Sequence, residues 1–330
     1  MSPLLEVEDL FVSVRTAAGM VEAVSGVSFS VDAGDAIGLV GESGSGKSLT
    51  LRAILGLLPP GAQITSGSIR FEGVDLVAQP KALKRIRGGG ISMIFQEPMT
   101  ALNPVVRVGR QIVDGAAKRQ GWNRSEARAE ALRLARATGI LDPDEVLDLY
   151  PHELSGGLRQ RVMIAAALAN KPRMLLCDEP TTALDVTIQD QIVKLLAELR
   201  DEFSMSLLYV THDLAVVGQL CRRVEVMYSG RLLESGPVAS IFHSPQHPYT
   251  LGLIEATPDV DSPKQMQPIP GSAPSLTERP AGCPFHPRCL VGDDSCRDGA
   301  FPLRSMSEEH ATACIYPERV RVPSDMSQAT

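Results

Sequence analysis

A glycine-rich loop that follows an apolar segment and ends in Lys-Ser constrains the fold of this chain more than any other feature. Residues 41–48 read GESGSGKS, which fits the pattern G-x-x-x-x-G-K-[ST], and the apolar segment AIGLV precedes them. In this pattern the glycines let successive backbone N–H groups point at one spot, and the N-terminus of the next helix adds positive potential there. The sequence therefore predicts a strand, a loop that binds a triphosphate, and a helix.

The side chains of the loop predict how a nucleotide is held. Lys47 is expected to reach the β- and γ-phosphates, and the Ser48 hydroxyl is expected to bind Mg²⁺. A flexible glycine turn is the alternative, but the strand and helix patterns on either side argue against it. The residues assigned to nucleotide binding here are Gly41, Ser43, Gly44, Ser45, Gly46, Lys47, Ser48 and Leu49.

A second apolar segment, RMLLCDE, ends in the acids Asp178 and Glu179. A strand that ends there can present one acid to the Mg²⁺ shell and the next to an attacking water. Asp178 is therefore predicted to hold the metal and Glu179 to act as the base. Two solvated acids at a strand end are the alternative, and the phosphate loop makes the catalytic interpretation the stronger one.

The patterns along the chain predict an α/β protein. Segments rich in Val, Leu and Phe at residues 4–14 and 21–31 indicate a β-rich start. Short apolar strands at RMLLCDE, SLLYVTHD and RRVEVMYSG flank a helix over about residues 187–202, as expected of a parallel sheet with crossover helices. After Gly236 prolines become frequent, which predicts a loop-rich appendage.

The middle third predicts a helical insertion. Between Glu97 and Asn170 the composition shifts to Ala, Arg, Leu and Glu. Asn123 followed by Glu126 is a capping-box pattern, which predicts a helix through about Thr138.

Composition excludes several classes of protein. The chain has 330 residues, of which 44% are hydrophobic, enough for one large domain with a smaller attachment. The net charge of −7 argues against a protein that binds nucleic acid. No apolar stretch approaches the length of a membrane span, and the start MSPLLEVEDL lacks the pattern of a signal peptide. We expect a cytoplasmic protein whose membrane role, if it has one, comes through partners.

The segment between the loop and the acids makes a family resemblance visible. It reads YPHELSGGLRQRVMIAAALA, and with LSGGLRQR at residues 154–161 the chain resembles the nucleotide-binding subunits of ATP-binding-cassette (ABC) transporters. The resemblance implies a P-loop NTPase cassette with a RecA-like parallel sheet core, an antiparallel β subdomain and a helical insertion, plus a small loop-rich C-terminal domain. It places the cassette at residues 1–250, its helical subdomain at about 97–170 and the C-terminal extension at 251–330.

The signature segment is expected to form half of a composite ATP site. In the family Ser155, Gly156 and Gly157 open a helix whose N-terminus meets the γ-phosphate of ATP held by the opposite cassette. Ser155 is the predicted N-cap, so the segment is a second anion site at a helix start.

Three further residues match family motifs one at a time. Gln96 in IFQEP matches the Q-loop glutamine, which touches Mg²⁺ and water, and with Ser48 and Asp178 it completes the predicted Mg²⁺ set. Asp185 in TTALD matches the D-loop and is expected at the seam of the cassette dimer. His212 in YVTHD matches the switch histidine that senses the γ-phosphate, so Glu179, Gln96 and His212 are the predicted catalytic residues.

One family feature is missing from the first strands. The family usually stacks an aromatic side chain on adenine, and VSVRTAAGMVEAV contains none. Val14 or Arg15 stands at the expected place, and the planar Arg15 side chain could stack instead. Phe11 is the nearest aromatic residue.

Four motifs narrow the resemblance. GESGSGKS, IFQEPMTALNP, EPTTALDVTIQ and HSPQHPYTLGL resemble the oligopeptide/dipeptide/nickel importer subfamily. This implies an ATP-hydrolysing, energy-coupling subunit of a peptide importer, peripheral on the cytoplasmic face of the inner membrane. The implied partners are a second, non-identical cassette ATPase, two transmembrane permease chains that dock near residues 96–104, and an extracellular or periplasmic solute-binding protein, with no nucleic acid.

Three alternatives to peptide import stay open from the sequence. The same machinery could import nickel or another small solute. A soluble cassette ATPase acting on ribosomes or DNA would be expected to fuse two cassettes or to carry a long coiled coil, and neither is present. A regulatory module that holds ATP without hydrolysis is disfavoured by Glu179 and His212.

The C-terminal segment carries four cysteines with the spacing C-x5-C-x6-C-x17-C, namely Cys283, Cys289, Cys296 and Cys314. Four thiolates suit either tetrahedral Zn²⁺ or a [4Fe–4S] cluster, and the lack of a C-x2-C pair argues mildly against a zinc ribbon. Members of the importer subfamily carry an iron–sulfur cluster at a similar set, so the resemblance favours the cluster, with zinc and unligated thiols as alternatives. His286 and His310 lie close enough in sequence to be spare ligands, but they are expected to be exposed loop residues.

Overall fold

The computed structural model describes residues 2–97, 101–182, 184–257 and 268–321. The strands in the described part of the chain are β1 (Leu5–Thr16), β2 (Gly19–Val31), β3 (Ala36–Val40), β4 (Ala62–Phe71), β5 (Val74–Asp75), β6 (Ile91–Ile94), β7 (Met174–Asp178), β8 (Ser206–Thr211), β9 (Arg223–Tyr228), β10 (Arg231–Pro237), β11 (Arg304–Ser305) and β12 (Ala311–Thr312). The helices there are α1 (Lys47–Ile54), α2 (Pro80–Ile86), α3 (Val108–Gln120), α4 (Arg124–Ala137), α5 (Pro143–Val146), α6 (Gly156–Leu168), α7 (Val186–Phe203), α8 (Leu214–Leu220), α9 (Val238–His243) and α10 (Pro248–Ala256).

The chain forms two units, and the first contains the described residues of 1–31, 36–78 and 210–330. One of its sheets has the strand order β2-β1-β4-β5, with every neighbouring pair antiparallel. Apolar side chains alternate with polar ones along β1 and β2, so Leu5, Val7 and Val24 are buried while polar neighbours face solvent. The predicted β-rich start is confirmed.

The second group of strands in this unit follows the order β11-β12-β10-β9-β3. β3 runs parallel to β9 in the register Ile37↔Arg223, and β9, β10, β12 and β11 then pair antiparallel. All five residues of β3 are buried, as expected of a strand covered on both faces of a sheet. This strand leads directly into the phosphate loop.

An aromatic cluster packs at the end of β9. The ring centroids of Tyr228 and Tyr249 lie 4.6 Å apart, and Phe285 lies 5.4 Å from Tyr228 and 5.3 Å from Tyr249. His247 packs edge-on against Phe285 at 5.9 Å. Residues that are far apart in sequence, on β9, on α10 and beyond residue 280, therefore share one buried core.

The second unit contains the described residues of 32–35 and 79–209. Its strands follow the order β8-β7-β6, where β8 contributes its first four residues, and β6 runs parallel to β7 in the register Ile91↔Met174. The helices α3, α4, α5 and α6 fall within the predicted insertion, and α7 extends the predicted crossover helix by one residue at each end. The α/β architecture with a parallel core, an antiparallel sheet and inserted helices is confirmed.

The hydrogen bonds at the start of α4 explain why the sequence predicted this helix. The Asn123 side chain accepts hydrogen bonds from the backbone N–H groups of Ser125 (2.9 Å) and Glu126 (3.0 Å). The Glu126 carboxylate accepts the N–H of Asn123 at 2.8 Å. This reciprocal capping satisfies donors that a helix start otherwise leaves unpaired, so the predicted capping box is confirmed.

The domain boundaries expected from the sequence stay predictions. They place the cassette at residues 1–250, its helical subdomain at about 97–170 and the extension at 251–330, and residues 258–267 lie outside the described part.

In the described ranges, no helix combines the length and apolar character that a membrane crossing requires.

Candidate functional site

The backbone of the phosphate loop adopts conformations that favour glycine. Gly41, Gly44 and Gly46 have φ angles of 156°, 78° and 107°. A Cβ atom on Gly41 would collide with the carbonyl oxygen of Met227 in β9, and one on Gly46 would lie 2.7 Å from the Met227 Cε. The loop therefore packs so close to β9 that Gly41 has no room for a side chain, whereas a side chain at Gly46 would require the end of the Met227 side chain to move.

The loop opens α1 as the sequence predicted. The N-cap is Gly46, which provides no side-chain hydrogen bond, and the first turn contains no acidic residue. Such a helix start presents backbone N–H groups and positive potential without an anionic side chain of its own in that turn. The arrangement fits a phosphate group.

Lys47 is buried, with 4% of its surface exposed. Its Nζ donates hydrogen bonds to the carbonyl oxygens of Gly41 (2.7 Å) and Glu42 (2.9 Å). A buried ammonium is costly unless it is hydrogen-bonded, so the loop carbonyls hold this cation within the loop. Ser43 and Gly44 are exposed, whereas Ser48 and Leu49 are half-buried at the start of α1.

Two predicted catalytic residues meet in the second unit. Gln96 follows β6 and Glu179 follows β7, and the Gln96 Nε2 donates to the Glu179 Oε2 at 3.3 Å. The Thr182 hydroxyl donates to the same oxygen at 2.9 Å. Neighbouring parallel strands bring their carboxyl ends to one edge of a sheet, which is why residues 83 positions apart in sequence come into contact here.

The two acids at the end of β7 differ in environment. Asp178 is the last residue of β7 and is completely buried, whereas Glu179 is half-buried. Glu179 also has a φ of 44°, a left-handed conformation that is uncommon for a residue with a side chain. Such backbone conformations cluster at functional sites, where the surrounding structure holds them in place.

The signature segment and the D-loop aspartate lie together in the same unit. Ser155 caps α6, its Oγ accepting the N–H of Leu158 at 3.3 Å, which confirms the predicted N-cap. Asp185 caps α7 by accepting the N–H of Ile188 at 2.9 Å. A Cβ on Gly157 would lie 3.3 Å from the Ile188 side chain, whereas one on Gly156 would meet Leu184 at 3.6 Å.

His212 follows β8 and is exposed. It lies in the first unit with the phosphate loop, whereas Gln96, Ser155, Asp178, Glu179 and Asp185 lie in the second. Ala183 and residues 98–100 of the predicted permease-docking segment are outside the described residues.

The four C-terminal cysteines line one small cavity of the first unit, and all are free thiols. Burial raises the pKa of Cys283 and of Cys314 to about 11. The neighbouring thiols contribute to these raised pKa values, because each would place a negative charge near the others. The spacing thus brings the four sulfurs to one place, as a shared ligand would require.

The cavity nevertheless contains no ready-made ion site. Within the described residues, no group of three or more His, Cys, Asp or Glu side chains could hold a metal ion. Neither the [4Fe–4S] cluster nor the zinc expected from the spacing therefore gains support from a preformed site.

The prediction that His310 is an exposed loop residue is wrong. His310 is 7% exposed, and its Nε2 lies 2.8 Å from Oε1 of Glu234 in β10. Glu234 is completely buried and also accepts the N–H groups of Gln246 and His247. A buried carboxylate needs such partners, and the sequence did not reveal that β10 carries one. His286 is half-buried and lines the thiol cavity.

Sequence reasoning missed three residues that contact the phosphate loop or belong to it. The Glu42 backbone N–H donates to the Tyr249 hydroxyl at 2.8 Å, and the Glu42 carboxylate pairs with Arg288 at 2.6 Å. Glu42 itself was visible in the sequence as an acid within the phosphate loop. Its partners lie 207 and 246 residues away, and no motif spacing connects them.

Comparison with known proteins agrees with this geometry. Residues 24–182 match the family model described as ABC transporter, and residues 233–296 match the oligopeptide/dipeptide transporter C-terminal region. The chain is 46% identical over 299 residues to the oligopeptide transport ATP-binding protein OppD of Haemophilus influenzae, covering 90% of this chain and 92% of that protein. It is 46% identical to OppD of Salmonella typhimurium (95% and 94% covered) and 44% identical to the probable D,D-dipeptide transport ATP-binding protein DdpD of Escherichia coli (96% and 98% covered).

Solved structures lead to the same fold. CbiO1 from Clostridium perfringens, described as part of the ABC transporter complex cbiONQ, superposes with a TM-score of 0.63 at 29% identity, covering 73% of this chain and 91% of that chain. A dimeric ATP-binding cassette in a post-hydrolysis state, bound to ADP and Pi, superposes with a TM-score of 0.64 at 26% identity, covering 71% and 98%.

We predict that Gly41→Ala lowers the thermal unfolding midpoint by several degrees more than Gly44→Ala. The Gly41 Cβ would collide with the Met227 carbonyl, whereas a Cβ on Gly44 meets no atom within 4 Å. The Gly44 variant should carry only the conformational cost of its φ angle, roughly 1–2 kcal/mol. Differential scanning calorimetry of the two variants measures the difference, and equal midpoints would contradict the close approach of the loop to β9.

Proposed function

Because the chain belongs to the ATP-binding subunits of ABC transporters, in the oligopeptide/dipeptide branch, we propose that it is the ATP-hydrolysing, energy-coupling subunit of a peptide importer. The observation that carries the proposal is the contact of Gln96 with Glu179 at the ends of β6 and β7. This contact brings together the glutamine and the acid that a hydrolytic cassette needs next to the attacking water molecule. The relatives described above are named for oligopeptide or dipeptide transport, which favours peptides over the nickel alternative.

The roles proposed for the site follow from its chemistry. The loop N–H groups and Lys47 bind the phosphates, with Ser48, Gln96 and Asp178 as the residues that would hold Mg²⁺. When bound, Mg²⁺ supplies positive charge that stabilises the phosphate oxygens as bond breaking proceeds. Glu179 accepts a proton from water while the water oxygen bonds to the γ-phosphorus. The bond from that phosphorus to the bridging oxygen breaks, so that ADP and phosphate leave.

The burial of Asp178 suits a metal ligand, and the hydrogen bonds to Glu179 suit a base. Asp178 has no exposed surface, which fits an acid that is held against a cation. The Glu179 side chain is held by hydrogen bonds from Gln96 and Thr182, so its carboxylate is already oriented. A base that is oriented before the substrate arrives loses little freedom in the reaction.

The signature helix supports a dimer of cassettes. Ser155 satisfies only one N–H at the start of α6, and Ser155 and Gly156 are exposed there. We propose that this helix start receives the γ-phosphate of ATP bound to a second, non-identical cassette, with Asp185 at the seam. His212 is proposed, with Glu179 and Gln96, as a catalytic residue that senses the γ-phosphate. The proposed partners are that cassette, two permease chains and a solute-binding protein, at the cytoplasmic face of the inner membrane.

The domain boundaries are proposed from the same family resemblance. Residues 1–250 would form the cassette, with the helical subdomain at about 97–170, and residues 251–330 the extension. The match of residues 233–296 to the transporter C-terminal region supports an extension specific to this branch.

We predict that Glu179→Gln lowers the ATP hydrolysis rate about 10²-fold or more while Mg²⁺-ATP still binds, since a positioned base contributes about that much. Steady-state hydrolysis and equilibrium nucleotide binding measure the two effects. Glu198→Gln, which removes an exposed acid from α7, is the matched control and should leave the rate unchanged. A decrease of less than about threefold for Glu179→Gln would rule out the proposed base.

We predict that affinity purification of the tagged chain from detergent-solubilised native membranes recovers two permease chains and a second cassette. Mass spectrometry identifies the recovered chains, and the operon neighbours of the permeases then indicate which cargo to test. Recovery of ribosomal or DNA-repair proteins without a permease would contradict the transport proposal but leave ATP hydrolysis intact.

The cysteine set supports a finer proposal about a cofactor. We propose that Cys283, Cys289, Cys296 and Cys314 bind a [4Fe–4S] cluster. The four thiols that line one cavity support this proposal, since [4Fe–4S] clusters are held by four cysteine thiolates. When bound, the cluster would act as a structural or redox-sensitive clamp on the extension, and its cationic irons would stabilise thiolates that burial otherwise keeps protonated.

We predict that the chain purified without oxygen contains about four irons and four sulfides, and that Cys289→Ser loses them. Iron and acid-labile sulfide are measured chemically. Cys221→Ser is the matched control, because Cys221 is a buried cysteine outside the set. Equal iron content in both variants, or none in the unmodified chain, would contradict the cluster.

A further inference from the structure

Glu42 presents an electrostatic problem for a phosphate site. It is the second residue of the phosphate loop, so its carboxylate adds a negative charge to a loop that must accept a highly charged triphosphate. Like charges in one site disfavour binding unless a cation neutralises one of them. The Lys47 Nζ donates a hydrogen bond to the backbone carbonyl of Glu42 at 2.9 Å.

The cation that neutralises Glu42 comes from the C-terminal segment. The Arg288 Nη1 donates to the Glu42 Oε2 at 2.6 Å, and the Nη2 donates to the Glu42 Oε1 at 3.0 Å, which makes a two-pronged ion pair. The Arg288 side chain is 5% exposed and that of Glu42 is 29% exposed. Water therefore screens this pair less than it would a surface ion pair.

Arg288 is fixed at several points besides the ion pair. Its Nε donates to the Pro270 carbonyl at 2.8 Å, its Nη2 to the Ile269 carbonyl at 3.3 Å and its Nη1 to the Tyr228 hydroxyl at 3.2 Å. Burial by itself would lower the pKa of Arg288, but the hydrogen bonds that it donates to Glu42 and Tyr228 raise that pKa overall, so the side chain stays charged. A cation with this many partners is built into the fold and is not a mobile surface group.

The aromatic cluster also contacts Arg288 and Glu42 and helps to hold them in position. Phe285 packs on Tyr228 and Tyr249, and the guanidinium of Arg288 lies 5.8 Å from the ring centres of both Tyr228 and Phe285. The Tyr249 hydroxyl accepts the backbone N–H of Glu42 at 2.8 Å. Burial raises the pKa of Tyr249, which keeps that hydroxyl neutral. The main chain and the side chain of Glu42 are thus both held by residues outside the loop.

We propose that Arg288 is a positioning residue for ATP binding, which holds the Glu42 carboxylate away from the phosphates and cancels its charge. The inference rests on the proposed nucleotide site at residues 41–48. It gives the C-terminal segment an indirect part in nucleotide binding, through Glu42. The residue acts through Glu42 and touches neither substrate nor metal.

The test measures the equilibrium dissociation constant of the full chain for a Mg²⁺-bound ATP analogue that resists hydrolysis. Arg288→Ala should weaken binding about tenfold or more, because it leaves the Glu42 carboxylate unneutralised in the loop. Glu42→Gln removes the charge and should stay within about threefold of the unmodified chain. The double variant Arg288→Ala with Glu42→Gln should recover binding to within about threefold, since the repulsive charge is gone.

The double variant separates charge from packing. If Arg288 only supports the fold, the double variant will bind as weakly as Arg288→Ala, and that result would overturn the proposal. Arg279→Ala is the matched control: Arg279 joins the same segment to β2 through Ser25 and the Glu22 carbonyl, without contacting the Glu42 carboxylate. It should bind the analogue like the unmodified chain, and thermal unfolding of each variant reports its stability.

Different results would contradict the proposed nucleotide site and the proposed role of Arg288. If the unmodified chain does not bind the analogue, the nucleotide site itself is wrong. If the unmodified chain binds it, Lys47→Ala does not, and Arg288→Ala binds normally, the nucleotide site stands and the role of Arg288 is wrong.

Discussion

The close approach of the phosphate loop to β9 is the constraint on which the rest of the first unit depends. Gly41 and Gly46 pack against Met227 without room for a Cβ, and the Ser45 carbonyl accepts the N–H of Gly230 just beyond β9. This contact fixes the loop between β3 and α1. It also sets the end of β9, where Tyr228 begins the aromatic cluster that supports the loop from the other side.

Two different cations, Lys47 and Arg288, contact the phosphate loop. The loop carbonyls hold Lys47, and Arg288 pairs with Glu42, so the cation proposed to bind the phosphates and the cation that pairs with the loop acid are different residues. Buried ion pairs contribute little net stability on average, because desolvation offsets much of the attraction. The placement of Arg288 is therefore better explained by its effect on the loop than by its effect on the stability of the fold.

The elements that sequence predicted well are those set by local physics. The capping box at Asn123, the N-cap at Ser155 and the strand before Asp178 depend on neighbours within a few residues. The prediction for His310 was wrong because its partner, Glu234, lies 76 residues away on β10. Burial of a polar side chain depends on what the fold brings against it, and a single sequence contains no record of that contact.

The sequence by itself determined the α/β class, the phosphate loop, the paired acids, the signature segment and the family, because each is a short pattern whose chemistry requires fixed residue types at fixed spacing. Only the tertiary structure decided that Gln96 meets Glu179, that the four thiols share one cavity and that Arg288 pairs with Glu42. These contacts join residues that are tens to hundreds of positions apart. Their distances follow from the parallel pairing of strands and from the packing of one aromatic core, which local patterns do not encode.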